Sequence, residues 1–283
     1  MPLIRIETID DPQLALYRDL KSPAAKRRSE RFVVEGQLLA ERLLTSGLQV
    51  ESILVEERLA DQWSALAPAD TPLLVIPRGW VRELIGFRFH RGVLACGLRP
   101  RSADLLQLAQ SSGEEATWVA CAGVQDPENL GGIMRSSAAF GVHALVLGPD
   151  CADPFSRRAA RTSMGANFRL PLIESADLAR DLTALRDACG FELVATVLAD
   201  DAESLSAVAP AGRTALLFGS EGFGLAPHWL ALCERRVTIP MRPGVDSLNV
   251  NVAAGIFLYQ WLSDRGGSAA EQPRRASAWP RLG

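Results

Sequence analysis

Three segments of this chain set polar side chains and glycines where a strand hands over to a helix. The first, Gln125-Asp-Pro-Glu-Asn-Leu-Gly-Gly-Ile-Met-Arg-Ser-Ser-Ala-Ala-Phe-Gly141, carries Asn129 and Arg135. The second, Leu217-Phe-Gly-Ser-Glu-Gly-Phe-Gly-Leu225, places Glu221 among glycines, and the third, Ile239-Pro-Met-Arg-Pro-Gly-Val-Asp-Ser-Leu-Asn-Val-Asn-Val-Ala-Ala-Gly255, carries Ser247 and Asn249. Glycines after a strand let the main chain approach a ligand closely. Glu221 is placed to contact such a ligand or to hold the Arg135 side chain, and Ser247 and Asn249 offer short polar groups at a helix start. Each segment taken alone has a plainer explanation. Asn129 reads as a helix N-cap with Arg135 on the surface, the glycines as a turn, and Asn249 as the cap of a helix burying Val250, Ala254, Phe257 and Trp261.

Several chemistries are excluded. The glycine segment does not match G-x-G-x-x-G, and no lysine follows position 26, so neither a dinucleotide fingerprint nor a Walker lysine is present. The five cysteines, at 96, 121, 151, 189 and 233, form no C-x-x-C pair and have no histidine at ligand spacing, which points to buried thiols in a reducing cytoplasm rather than to zinc or disulfides. No metal site is expected. Met1 to Asp10 lacks the pattern of an export signal, and charges interrupt the long apolar runs, so no membrane span is expected.

The net charge of -3 predicts no affinity for nucleic acid by itself. Local clusters say more: Lys21, Lys26, Arg27, Arg28 and Arg31; then Arg78, Arg82, Arg88 and Arg91; then Arg157, Arg158, Arg161 and Arg169. Such groups can build a basic stripe for phosphates, or simply a salt-bridged surface.

The elements that must position these residues fall into two units. Residues 31 to 99 read as a small α/β unit, with strands at Phe32 to Glu35, Ile53 to Val55, Leu73 to Ile76 and Gly92 to Gly97, and a helix carrying Leu38, Leu39, Leu43 and Leu44. A polar linker follows at 103–116, with a short helix at Asp104 to Gln110. Thereafter strands expected at Thr117 to Ala122, Ala144 to Leu147, Phe191 to Val197, Thr214 to Phe218 and Arg236 to Ile239 alternate with helices, the signature of a mainly parallel sheet covered on both faces. The boundaries expected are 20–102, 103–116, 117–265, and a disordered Gly-, Ser-, Arg- and Pro-rich tail at 266–283.

The three segments, in this order, resemble the motif set of the SpoU (TrmH-like) class of the SPOUT superfamily, whose members methylate the ribose 2′-hydroxyl of RNA. The likeness covers roughly 117 to 262, and 31 to 99 resembles, less strongly, the ribosomal-protein-like substrate-binding domain of many such enzymes. It implies an α/β fold with a trefoil knot in the C-terminal parallel-sheet domain, a homodimer whose active sites are completed by the neighbouring subunit, and S-adenosyl-L-methionine as methyl donor. It also implies an RNA partner, with ribosomal RNA ahead of transfer RNA and no DNA. Residue by residue, Asn129 and Arg135 match the first-motif catalytic positions, Glu221 the second-motif acid, and Ser247 and Asn249 the third-motif polar pair. Gly219, Ile239, Met241 and Leu248 match the cofactor pocket. The family commonly has Asn-Val-Ser-Val where this chain has Asn249-Val-Asn-Val252.

Methyl transfer from a sulfonium to a ribose oxygen is an in-line displacement, which requires alignment of the two substrates and a more nucleophilic 2′-oxygen. A guanidinium stays protonated, so Arg135 is assigned to the adjacent phosphate and to charge developing on oxygen, with Asn129 and Glu221 positioning it. Three other readings compete: an RNA-binding protein of the same fold without catalysis, a base methyltransferase of a related class, and a Rossmann oxidoreductase, the last opposed by the missing fingerprint.

Overall fold

Short apolar runs and helical repeats assemble into two sheets that share one core. The computed structural model describes residues 2–18, 30–85, 92–210, 212–242, 244 and 247–263. Lys21, Lys26, Arg27, Arg28, Arg88, Arg91 and the expected tail lie outside the described residues.

The first sheet has five strands: β1 (Leu3–Arg5), β2 (Arg31–Glu35), β3 (Val50–Glu56), β4 (Leu73–Ile76) and β5 (Val93–Leu98), in the order β1-β4-β3-β5-β2. β1, β4 and β3 run parallel, and β5 is antiparallel to both β3 and β2. Helix Gln37–Leu44 buries Leu39, Ala40 and Leu43 against it, starting after Gly36, whose φ of 95° suits a residue without Cβ. The sheet reaches further toward the N-terminus than residue 20, because β1 pairs with β4 and Tyr17 is buried with its hydroxyl 2.7 Å from that of Ser52. A three-residue edge strand is too short to show a period in sequence.

The second sheet has seven strands: β6 (Ala116–Cys121), β7 (Ala144–Leu147), β8 (Leu172–Glu174), β9 (Glu192–Thr196), β10 (Glu203–Ser204), β11 (Arg213–Phe218) and β12 (Arg235–Thr238). Their order is β10-β12-β9-β11-β6-β7-β8, and every pairing is parallel. The five expected strands are all present, with ends shifted by about one residue. β8 and β10 were not expected, being only three and two residues long.

Alternation along the strands divides the burial. In β6, Val119 and Cys121 face helices Pro127–Phe140 and Val250–Ser263 through Leu130, Ile133, Phe257 and Trp261. Trp118 and Ala120 face the opposite layer, where Leu178–Cys189 contributes Leu182 and Leu185. Both sides of each central strand are therefore removed from water, as an all-parallel sheet requires.

The two sheets join through a mixed apolar and ionic seam. The Phe32 ring lies 5.0 Å from that of Phe155 and stacks at 5.7 Å on Phe168. Glu35 pairs with Arg157 at 3.6 Å and Arg161 at 3.4 Å, and Arg99 pairs with Asp153 while lying over the Phe155 ring. Arg169 donates to the Thr45 carbonyl at 2.9 Å. Arg157 and Arg161 thus hold the units together through Glu35, as the salt-bridged reading has it, and Arg169 does so through hydrogen bonds to Thr45. No helix among the described residues is long and apolar enough to cross a membrane, and no group of metal-binding side chains is found among them.

Candidate active site

The chain leaves β6, turns, and enters helix Pro127–Phe140, whose cap is Asp126: its carboxylate accepts from the Glu128 N–H at 2.8 Å. Asn129 is not the cap, contrary to the sequence expectation. Pro127 occupies the first helical position with its fixed φ and missing N–H, so capping falls to the residue before it. Asn129 lies in the first turn, 7% exposed, with its amide free to bond elsewhere.

That amide joins all three motifs. Its Nδ2 donates to Glu221 Oε1 at 3.0 Å, and its Oδ1 accepts from Asn249 Nδ2 at 2.9 Å and from Asn251 Nδ2 at 3.1 Å. Glu221 also accepts from the main-chain N–H groups of Asp126 at 3.2 Å and Gln125 at 3.4 Å. Partial burial pushes the Glu221 carboxyl up, but the bonds from Asn129 and from the backbone outweigh it and hold the group below its ordinary range. Glu221 is therefore an anion at neutral pH, and its charge is spent on fixing Asn129 and the entry to the helix.

Glu221 sits on a tight turn. Ser220 and Gly224 exchange main-chain hydrogen bonds of 3.1 and 3.0 Å, and a Cβ on Gly219 would lie 2.2 Å from the Gly224 carbonyl carbon, so the turn closes only over a glycine. Downstream of β12, Asn249 Oδ1 accepts from the Asn251 N–H at 2.9 Å at the start of helix Val250–Ser263, as its reading as a cap anticipates. Ala254, Phe257 and Trp261 are buried as expected, and Val250 packs partly buried against the same core.

Gly131 and Gly132 serve helix packing. A Cβ on Gly131 would meet Thr162 Cβ at 2.7 Å and the Ala159 carbonyl oxygen at 2.9 Å, and one on Gly132 would meet Asn251 Cβ at 2.8 Å. Gly131 lets helix Arg157–Thr162 pack closely, and Gly132 lets helix Val250–Ser263 come close enough for Asn251 to reach Asn129.

A cavity of about 730 Å³ opens at the C-terminal ends of β9, β11 and β12. It is lined by eight of the nine expected residues: Asn129, Gly219, Glu221, Ile239, Met241, Ser247, Leu248 and Asn249. Its position outside the carboxyl ends of parallel strands is where open α/β sheets bind ligands. Thr196, which ends β9, and Val197, Leu198 and Ala199 directly after it also line the cavity and were missed. The same strand-end rule could have found them.

Arg135 is the exception. It is exposed, it does not line the cavity, and among the described residues it makes no hydrogen bond or ion pair. Glu221 does not hold it. Six residues along a helix amount to about 9 Å of rise and about 240° of rotation, which carries Arg135 away from Asn129 on the same helix. Its charge is felt at Arg42, whose guanidinium is pushed down first by burial and then by Arg135 and Arg169. Ile133 and Ser137 of this helix are buried, whereas Phe140 at its end is exposed and packs edge-on against Tyr259 at 6.0 Å.

The model of the SpoU rRNA methylase family matches residues 116–259, which include the whole seven-stranded sheet and every residue of the cavity. The chain belongs to the SpoU rRNA methylase family. It is a methyltransferase. Its SpoU relatives match well beyond that domain. A Mycobacterium bovis protein described as an uncharacterized tRNA/rRNA methyltransferase is 36% identical over 260 residues, covering 89% of this chain and 88% of that protein. The 23S rRNA (guanosine-2′-O-)-methyltransferase RlmB of Nitrosomonas europaea is 32% identical over 227 residues, 79% of this chain and 86% of that one. The AdoMet-bound rRNA methyltransferase of Sinorhizobium meliloti has a similar structure, with a TM-score of 0.79 at 25% identity over 91% of this chain and 97% of that one.

Proposed function

We propose that this chain transfers a methyl group from S-adenosylmethionine to a ribose 2′-hydroxyl of structured ribosomal RNA, acting as a homodimer. The observation that carries this reading is the convergence of all three motifs on the Asn129 amide at the rim of one cavity. The Nitrosomonas relative is named for the same reaction on 23S rRNA, and the Sinorhizobium structure holds AdoMet.

The cavity suits the methyl donor. Its volume falls in the range of small-molecule sites, Ile239, Met241, Leu248 and Phe257 supply apolar walls, and Gly219 leaves main chain uncovered at its edge. Gly219, Ile239, Met241 and Leu248 hold the cofactor. Bound there, S-adenosylmethionine supplies a methyl already activated by its sulfonium.

The protein's contribution is alignment and charge. Glu221, ionised, fixes Asn129, and Asn129 in turn fixes Asn249, so that Ser247 and Asn249 orient the ribose or the loop beside it. Arg135 binds the phosphate next to the target and stabilises the negative charge that develops on the 2′-oxygen as it takes the methyl group, the thioether departs and the hydroxyl proton passes to water.

Arg135 is turned away from its own cavity and acts in the site of the neighbouring subunit. The same helix pair presents Phe140, Val252, Ile256 and Tyr259 to solvent, an apolar face suited to a second copy. The C-terminal end of the parallel sheet carries a trefoil knot. This fits Ile239 and Leu248 lining one cavity with the turn after β11, while the following helix crosses back onto Pro127–Phe140. The unit built on the first sheet, which takes in β1 and Tyr17 ahead of the expected 20–102, forms the RNA-binding domain, joined by the 103–116 linker to the 117–265 methyltransferase domain. Folded RNA is read there through shape and 2′-hydroxyl contacts.

The test is methyl incorporation from labelled S-adenosylmethionine into ribosomal RNA from cells lacking the gene, with ribose-methylation mapping. One 2′-O-methylated nucleotide is expected. Label on a base, or cofactor binding with no label in any RNA, would overturn the reading.

A further inference from the structure

Phe223 is 96% exposed, far more than any other large apolar side chain among the described residues. Single apolar residues scattered on a surface need no explanation. This one is different in its place and its mounting. It lies at the tip of the turn after β11, two positions from Glu221, and lines the mouth of the methyl-donor cavity.

The turn that presents it is held from both ends. On one side Ser220 and Gly224 exchange main-chain hydrogen bonds, and Gly219 packs so closely on Gly224 that no side chain fits between them. On the other, Glu221 is tied to Asn129 and to the N–H groups of Gln125 and Asp126. An aromatic ring on an anchored turn loses little freedom when a flat partner settles on it, whereas the same ring on a loose loop would have to be ordered first. The neighbouring Gly222 and Gly224 add no side chains that would cover its faces.

We propose that Phe223 is a stacking platform for an unstacked base of the substrate RNA, at or next to the nucleotide whose ribose is methylated. The inference rests on the reading of the cavity given above and extends it to a named contact. A ribose in a folded RNA reaches side chains that line a cavity only if its nucleotide is drawn out of its stack. The base so exposed needs a new apolar face, which aromatic side chains provide in single-strand recognition. Phe223 stands at the mouth, where that base emerges when the ribose lies beside Asn129 and Asn249. The contact reads a π-face rather than hydrogen-bonding edges, so it positions the nucleotide without choosing its identity.

The experiment compares wild type, Phe223→Ala and Phe223→Trp in methyl transfer to ribosomal RNA from cells lacking the gene, together with S-adenosylmethionine affinity by calorimetry, Tm and sedimentation. Wild-type activity on this RNA tests the underlying reading; failure there is a failure of the function, not of the platform. Given that activity, Phe223→Ala should raise KM for RNA about tenfold, the loss expected for one stacked base. Cofactor affinity, Tm and oligomeric state should be unchanged, and Phe223→Trp should restore KM. Three results would each overturn the proposal. An unchanged KM would mean no base sits there, weaker cofactor binding would mean the ring packs on the methyl donor, and dissociation to monomers would mean a second copy covers it.

Discussion

Asn129 Nδ2 donates to Glu221 Oε1 at 3.0 Å, across 92 positions of sequence, and this bond ties the first motif to the second. Its consequence is that Asn129 presents its oxygen, not its nitrogen, to the third motif, where two amides converge on it. The carboxylate thus decides the orientation of an amide that Asn249 and Asn251 then read.

Glu221→Gln should flatten the acid limb of the stability profile. The Glu221 carboxyl is held below its ordinary range, so its contribution is fully present above the unfolded-state value of about 4.3 and is lost as pH falls through the lowered folded value. Tm measured from pH 7 to pH 3 should show wild type above the variant at neutrality, with the gap closing below about pH 4. A gap independent of pH would assign the difference to packing.

Asn249→Ala and Asn251→Ala should differ in severity. Both remove a bond to Asn129, but Asn249 also caps the last helix through the Asn251 N–H and lines the cavity. Loss of one neutral hydrogen bond is worth about 0.5–1.5 kcal/mol, so Asn251→Ala should lower turnover by roughly two- to tenfold. Asn249→Ala should lower it on the order of 100-fold through misalignment, with the protein still folded by circular dichroism. Equal small effects would reduce Asn249 to a helix cap.

Gly131→Ala should be destabilising despite Ala's higher helix propensity. The new methyl meets the Ala159 carbonyl and Thr162 Cβ, and overpacking of this kind costs about 1–3 kcal/mol. Urea unfolding would measure it. Gly132→Ala presses instead on the Asn251 side chain, so its first effect should be on turnover, with a smaller shift in midpoint.

Arg135→Ala and Asn129→Ala should each be poorly active alone and complement one another when co-expressed. If Arg135 serves the neighbouring cavity, a mixed dimer holds one intact site, and random pairing should return about a quarter of wild-type activity. Absence of any recovery, with mixed dimers shown by mass spectrometry, would put Arg135 back in the service of its own chain. A companion variant, Tyr259→Glu, places a charge on the exposed apolar face and should shift sedimentation to the monomer and abolish activity.

Much of the architecture was legible because it rests on local pattern. Four-to-seven-residue apolar runs separated by helical repeats announce strands buried on both faces, and Asp104 and Asn249 mark helix starts by their side-chain chemistry. The motif order likewise put eight residues into one cavity before any contact was seen. What sequence could not supply depends on distances between elements. Asn129 looked like a cap until Pro127 moved the cap to Asp126, and Glu221 looked like a partner for Arg135 until the turn of the helix carried that arginine to the other side. The arginines at 157, 161 and 169 offered a stripe for phosphate until Glu35 and Thr45, more than a hundred positions away, claimed them. Residue type and spacing along the chain fix what a side chain can bond to; only the packing of one element on another fixes which of those partners it meets.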